Sequence, residues 1–200
     1  MTRQRTTRLV HLVRHGETVG QSSIRFWGRT DVALSDEGRV QVRRLGAAVR
    51  PLLLDAIVHS PLSRAAESAQ ILTRALGLEH APVHAEPGFA EIDFGVFEGL
   101  TREEIADRDP AWFATWERAA HAGFPDGETL AGFEQRVRDA FLRTLERTSG
   151  DLLLVAHRGV IRRIAEALLP GAGDVPTDLA SLSTLRLTPP GVERWNVVGG

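Results

Sequence analysis

Short apolar runs alternate along the chain with longer stretches in which apolar residues recur every three or four positions. The runs at 8–13 (RLVHLV), 55–59 (DAIVH) and 151–156 (DLLLVA) read as buried strands. Fainter strand signals lie at 82–85, 181–187 and 192–198; the last two flank Pro189-Pro190-Gly191, as the arms of a terminal hairpin would. A helical period runs from about Asp36 to Leu53, with Ser35 as cap, acidic residues in its first turn, and Val42, Leu45 and Val49 on one face. Two more helices are expected over 61–76 and 129–147, the latter turning Leu130, Phe133, Val137, Phe141 and Leu145 inward. A further amphipathic helix, with Ile161, Ile164 and Leu168, follows the run at 151–156. Alternation of this kind predicts an α/β three-layer sandwich, with a mostly parallel central sheet and helices on both faces. The stretch 88–127 departs from both periods. Gly, Pro, Trp and acidic residues dominate it, so it is expected to form loops and short helices, a small cap over the C-terminal strand edge. No repeat, low-complexity tract or linker interrupts the pattern, so residues 1–200 are read as one domain with 88–127 as a cap insertion.

Composition narrows the chemistry. Hydrophobic residues make up 42% of the chain and charged residues 25%, as in an ordinary globule. The net charge of −2 gives no global attraction to nucleic acid or anionic membrane, and no apolar run is long enough to span a bilayer. Arg3, Arg5 and Arg8 lie in the first eight residues without an apolar segment after them, which reads as a frayed basic terminus and not a secretory signal. A cytoplasmic location is the default expectation. The sequence contains no Cys, Lys or Tyr. That excludes disulfides, thiolate metal sites, cysteine nucleophiles, Schiff bases and the lysine of a nucleotide P-loop. Ser, Thr, Asp, Glu and His remain as nucleophiles.

Four segments stand out against this background. At 12–18, LVRHGET, an apolar strand ends and Arg14-His15-Gly16 follows at once. Ligands of open α/β sheets bind beyond the carboxyl ends of strands. At 152–159 the arrangement recurs, with LLLVA followed by His157, Arg158 and Gly159 and then a helix start, where free N–H groups favour anions. At 60–70, SPLSRAAESAQ, Ser60 and Pro61 fit the cap and first position of a helix. Arg64 then falls in the first turn, where a cation opposes the helix dipole unless an anion is bound nearby. At 91–99, EIDFGVFEG, Glu91 and Asp93 sit among apolar residues and glycines, a pair suited to acid–base work or to a metal.

These segments resemble the histidine phosphatase superfamily, the phosphoglycerate-mutase-like group. RHGET is similar to its signature, SPLSRAAESA to its Ser-x-Leu-x-Arg-Ala segment, EIDFGVFEG to its acid-bearing loop and VAHRGVIR to its second-histidine segment. They occur in the family's order over about 9–165. The resemblance implies a metal-independent phosphomonoester hydrolase with no cofactor, acting on a small phosphorylated substrate. His15 would be the nucleophile that becomes phosphohistidine, Arg14, Arg64 and His157 the clamp on the phosphoryl oxygens, and Glu91 the proton donor. Gln21 stands where the family often has Asn and would add a neutral contact to phosphate. Thr18 and Gly28 would line the pocket, the latter through its backbone, with Glu17 and Ser60 behind them. Arg158 replaces the Gly that usually follows the second histidine. It either tilts a loop or supplies a cation for a second acidic group on the substrate.

The expected chemistry is in-line attack by neutral His15, with the arginines and His157 balancing charge on the transferring group and Glu91 protonating the leaving alkoxide. Burial would raise the Glu91 pKa and the arginines would lower it. Three other readings compete. A metallohydrolase built on His15, His157, Glu91 and Asp93 lacks a close ligand pair such as HExxH, and its arginines would repel a cation. A catalytically inactive phospho-ligand-binding relative is disfavoured because every core candidate is present. A cofactor-dependent phosphoglycerate mutase would need a longer insertion between acid and second histidine, whereas His157 follows Glu91 by 66 positions. The segment 124–137 also resembles the smaller phosphatases of the group. The aromatic residues Phe94, Phe97, Trp112, Phe113, Trp116 and Phe124 are expected to form a cap core or a substrate wall. A homodimer is compatible with the chain.

Overall fold

The computed structural model describes residues 7–49, 52, 54–118, 122–174 and 176–199. Its elements run β1 (Leu9–Arg14), α1 (Asp36–Ala48), β2 (Ala56–His59), α2 (Ser63–Ala75), β3 (Val83–Ala85), α3 (Arg102–Arg108), α4 (Pro110–Glu117), α5 (Leu130–Glu146), β4 (Leu152–Ala156), α6 (Arg158–Leu168), β5 (Ser181–Leu187) and β6 (Pro190–Val198). One sheet has the order β3-β2-β4-β1-β5-β6. The pairings β3-β2, β2-β4 and β4-β1 are parallel, and β5 and β6 close the far edge antiparallel. The architecture is the α/β sandwich that the apolar pattern predicts.

The pleat sorts side chains onto two faces. Val10, Leu12, Leu152, Leu154 and Ala156 meet Phe133, Val137 and Phe141 of α5 and Val160, Ile161 and Ile164 of α6. Val13, Leu153 and Val155 meet Val42 and Leu45 of α1 and Ala65, Ala69 and Leu72 of α2. All five β4 residues are buried, as a central parallel strand covered on both faces requires. Each such leucine contributes about 2 kcal/mol by leaving water.

Register then fixes the site. Arg14 pairs with Ala156 and His59 with Val155, so β1, β4 and β2 end side by side. The His15 N–H donates to the Ala156 carbonyl at 3.1 Å, and the Ser60 N–H to the Val155 carbonyl at 3.0 Å. His15 continues the row of Val13 and His157 the row of Val155, which places both histidines on the α1–α2 side of the sheet.

Several local expectations are corrected. Helix α1 stops at Ala48, with Val49 extended; the Arg50-Pro51 pair that follows disfavours helix, and Leu53 lies outside the described residues. Helix α2 starts at Ser63 with Leu62 as cap, not with Ser60. Its first N–H is held from elsewhere, since Asp31 accepts both the N–H and hydroxyl of Ser63 at 2.8 Å. Leu130 opens α5 at 38% exposure instead of turning inward. Arg3 and Arg5 lie outside the described residues, but Arg8 is not frayed. Its guanidinium donates to the Gly150 and Leu145 carbonyls and to the Thr148 hydroxyl.

Over the carboxyl end of the sheet lie α3 and α4. Thr101 and Glu104 form a capping box at the start of α3, and Asp109 caps α4 with Pro110 at its first position. Phe89 and Ile92, inside the predicted cap stretch, belong instead to the main core. Beyond them the aromatics form their own cluster: Trp112 packs on Phe97, Trp116 and Phe124 at centroid distances of 4.6, 5.6 and 5.3 Å.

Candidate active site

A cavity of about 530 Å³ opens where β1 and β4 end beneath α4. Arg14, His15 and Glu91 line its floor, and Phe94, Trp116 and Phe124 form an aromatic side. The aromatic stretch is thus both cap core and cavity wall, because Phe97 is buried behind while these three face the opening.

His15 is 4% exposed. Its Nδ1 lies 2.7 Å from the Gly16 carbonyl. A carbonyl only accepts, so Nδ1 carries the proton and Nε2 keeps its lone pair. Burial, then the charges of Arg64 and Arg14, hold this imidazole well below the ordinary histidine pKa. The ring is therefore neutral at physiological pH, with a fixed tautomer. Gly16 lets this loop pack against the backbone of α1, since a Cβ there would lie 2.4 Å from the Gly38 carbonyl oxygen.

His157 lies against it, with ring centroids 5.1 Å apart and planes at 61°. Its Nε2 is 2.7 Å from the Ser60 hydroxyl, which also accepts the Leu62 N–H at 3.3 Å. That engagement explains why Ser60 does not cap α2. Burial, followed by the charge of Arg64, the repulsion that a proton on His15 would add, and the charges of Arg14 and Arg136, also holds His157 well below the ordinary value. Its Nδ1 is buried and has no hydrogen-bond partner among the described residues.

The two arginines repeat this theme. The Arg64 side chain is fully buried, and its terminal nitrogens donate to the carbonyls of Thr30 at 2.9 Å, Trp27 at 3.1 Å and Gly28 at 2.7 Å. Arg14 donates to the Thr177 carbonyl at 2.7 Å and the Ser22 carbonyl at 3.5 Å. Among the described residues neither makes an ion pair within hydrogen-bond reach, and the Nε of each is buried without a partner. Burial, then the neighbouring Arg158, pushes Arg14 down to about 10, so it stays charged at neutral pH. Burial lowers Arg64 as well.

Glu91 is 7% exposed. Its Oε2 accepts the Gly159 N–H at 2.9 Å and its Oε1 the Ile92 N–H at 3.0 Å. Burial outweighs these bonds and the two arginine charges, so its pKa is raised above the ordinary glutamate value. The contest that the sequence leaves open is decided by desolvation.

The remaining expected residues are placed differently. Gln21 is exposed on a turn with φ of 58° and does not line the cavity; Ser22 and Ser23 do. Thr18 is buried with its hydroxyl 2.7 Å from that of Ser22, so it supports the loop instead of lining the pocket. Gly28 holds Arg64 through its carbonyl, away from the lining, and its N–H is taken by Glu98. Arg158 is exposed on the cavity rim. Asp93 turns its carboxylate to the Gly95 N–H at 2.9 Å, and no cluster of three or more metal-ligating side chains occurs among the described residues.

Two organising residues escape a sequence reading. Glu98 accepts the N–H groups of Gly28, Arg29, Thr30 and Phe94 at 2.9–3.2 Å, fixing the very carbonyls that hold Arg64. Arg136 pairs with Glu128 through two nitrogens, at 2.9 and 2.7 Å, and donates to the Gly88 and Ala90 carbonyls beside Glu91. A carboxylate among apolar residues in EIDFGVFEG is the one signal that could have marked Glu98.

The family model described as histidine phosphatase superfamily (branch 1) matches residues 10–198. An acid phosphatase of Mycobacterium tuberculosis is 36% identical over 160 residues, 76% of this chain and 73% of the relative. A protein named "Probable phosphoglycerate mutase GpmB" from Enterobacter sp. is 30% identical over 152 residues, 76% of this chain and 69% of the relative. Other relatives carry the matched stretch within a longer chain, of which it covers 49%. The solved mycobacterial glucosyl-3-phosphoglycerate phosphatase superposes with a TM-score of 0.81 over 96% of this chain and 99% of its own, at 24% identity. The chain belongs to the histidine phosphatase superfamily, a group with phosphatases and mutase-like members among its relatives here. No helix among the described residues is long and apolar enough to cross a membrane.

Proposed function

We propose that this protein is a metal-independent phosphomonoester hydrolase acting on a small phosphorylated metabolite through a phosphohistidine at His15. One observation carries the reading: among the described residues three buried nitrogens lack a hydrogen-bond partner, Arg14 Nε, Arg64 Nε and His157 Nδ1, in the company of a neutral histidine whose Nε2 keeps its lone pair. Each unmade buried donor costs roughly 1–3 kcal/mol. A bound phosphoryl group, rich in acceptors, would answer Arg14 in the cavity lining and, seated deeper, Arg64 and His157 directly behind it.

His157 is a donor at Nδ1 if the Ser60 hydroxyl gives its proton to Nε2, which the 2.7 Å contact allows. The His15 Nε2 lone pair attacks phosphorus in line, and the ester P–O bond breaks. Protonated Glu91 gives its proton to the departing alkoxide oxygen. Water then attacks the phosphohistidine, Glu91 accepts the water proton, and inorganic phosphate leaves neutral His15. The arginines and His157 balance the charge that spreads over the equatorial oxygens. Two guanidiniums next to the histidines disfavour a metal cation there.

Hydrolysis is preferred to mutase chemistry because a mutase must keep water from its phosphohistidine, and among the described residues the helices between Glu91 and α5 are the short α3 and α4. The mutase-named relative at 30% identity is the reason to test the alternative. Purified protein is incubated in excess EDTA with p-nitrophenyl phosphate, and separately with 3-phosphoglycerate with and without 2,3-bisphosphoglycerate. Free phosphate release that survives the chelator and is blocked by vanadate is expected. Loss of turnover restored by a divalent ion overturns the metal-free step. Isomerisation of phosphoglycerate faster than phosphate release overturns the hydrolase assignment.

A further inference from the structure

Charge on the cavity wall is lopsided. Its lining includes Arg14, Arg25, Arg102, Arg158, Arg162 and Arg163 against one carboxylate, Glu91. Arg25 is neutralised by Glu104 at 2.8 Å, and Arg102 pairs with Glu117. Arg163 is within electrostatic reach of Glu166. Arg158 is different. It sits at the first position of α6, directly after His157, and makes no hydrogen bond or ion pair with any described residue. It also lies close enough to Arg14 to lower that residue's pKa, so two like charges share one wall. Arg162, four positions on and therefore on the same side of α6, lines the same cavity.

A cation at a helix N-terminus is disfavoured by the dipole, and a second guanidinium nearby adds repulsion. A bound phosphoryl group answers Arg14, whose buried Nε has no partner. Arg158 stands outside that buried set, exposed on the cavity rim. Asp178 lies in the adjoining cavity of about 460 Å³, which Arg14, Arg158 and Arg162 also line, and it is engaged by the Asn196 amide at 2.7 Å. It pulls Arg14 in the opposite direction, but less than Arg158 does.

We propose that Arg158 is a specificity-determining residue that binds a second anionic group of the substrate, a carboxylate or a second phosphate, at the rim of the cavity whose floor takes the phosphoryl group. The substrate class is then a small phosphomonoester with a further negative charge. This rests on the hydrolase reading above, so the test separates the two.

Binding is measured by calorimetry on His15→Ala protein, which retains the cavity without turnover. Two matched pairs distinguish the source of the charge: 3-phosphoglycerate against glycerol 3-phosphate, and glucose 1,6-bisphosphate against glucose 6-phosphate. At least one doubly anionic partner is expected to bind more tightly, and His15→Ala/Arg158→Gln should reduce that preference by about five-fold, as for a partly shielded ion pair. The favoured pair tells carboxylate from phosphate. Arg102→Gln in the same background serves as comparison, since Glu117 already neutralises it; a preference that falls equally there means general cavity charge and overturns the assignment to Arg158. No preference in either pair, or one that Arg158→Gln leaves unchanged, also overturns it. Turnover of p-nitrophenyl phosphate by the wild type is scored separately: its absence counts against the hydrolase reading, whatever the binding ratios show.

Discussion

Substituting Gly159 by Ala probes the acid without touching its chemistry. A Cβ at this position would lie 2.4 Å from Glu91 Oε1, 3.1 Å from Glu91 Cδ and 3.2 Å from Phe133 Cζ. Ordinary non-bonded contact needs about 3.5 Å, so the carboxyl must retreat by about 1 Å. Phe133 is itself buried and offers little room. The 2.9 Å bond from the Gly159 N–H to Oε2 is then stretched beyond useful range. A displacement of about 1 Å in a catalytic group costs on the order of 10²-fold in rate. Overpacking costs about 1–3 kcal/mol, but alanine in place of a helical glycine returns up to about 1 kcal/mol, so the net destabilisation stays below about 3 kcal/mol. The assay is kcat/KM for an alkyl phosphate and for p-nitrophenyl phosphate, with thermal unfolding as control. A loss near 100-fold on the alkyl ester and under about 10-fold on the aryl ester is expected, because the aryl leaving group needs less protonation. Equal losses on both esters, or wild-type rates, refute the placement of Glu91 as the acid.

Three further outcomes follow from the same geometry. Glu91→Gln should leave phosphoenzyme formation from p-nitrophenyl phosphate largely intact and slow it by about 10²-fold or more from an alkyl ester, read by rapid quench; equal effects remove the acid role. Glu98→Ala strips acceptors from the N–H groups of Gly28, Arg29, Thr30 and Phe94 and should cost about 2 kcal/mol or more in urea unfolding. Activity should fall with it, since Arg64 loses its frame, and unchanged kcat would contradict that linkage. His15 and His157 have folded pKa values below their unfolded ones, so their contribution to stability is present above about pH 6.5 and is lost as pH falls toward the folded values. Urea midpoints from roughly pH 8 to pH 5 should therefore drop more steeply for wild type than for His157→Asn, and parallel curves would refute the neutral buried pair.

Much of this site is written in local pattern. The apolar runs before His15 and His157 are long and bounded, so they mark central strands, and a strand's carboxyl end is where α/β sheets bind ligands. Placement of Arg64 in a first helical turn, against the dipole, points to an anion. What the pattern misses comes from contacts distant in sequence. Ser60 has the identity of a helix cap, yet its hydroxyl is drawn to His157, 97 positions away, and Asp31 takes over the cap of α2. Gln21 sits at a motif position but on a left-handed turn that leaves it exposed. Glu98 and Arg136 act by holding backbone groups of other segments, a role that neither periodicity nor residue type reveals. The pKa of Glu91 depends on how completely its surroundings exclude water, which only packing determines.

The central claim is that His15 carries the phosphoryl group. Wild-type and His15→Ala proteins are mixed with a phosphomonoester, quenched in alkali on the millisecond scale and measured by intact-protein mass spectrometry. A wild-type species heavier by one phosphoryl group is expected, stable to alkali and labile to acid as a phosphoramidate is, localised to His15 and absent from the variant. A phosphoryl group found on another residue, or the same adduct formed by His15→Ala, contradicts it.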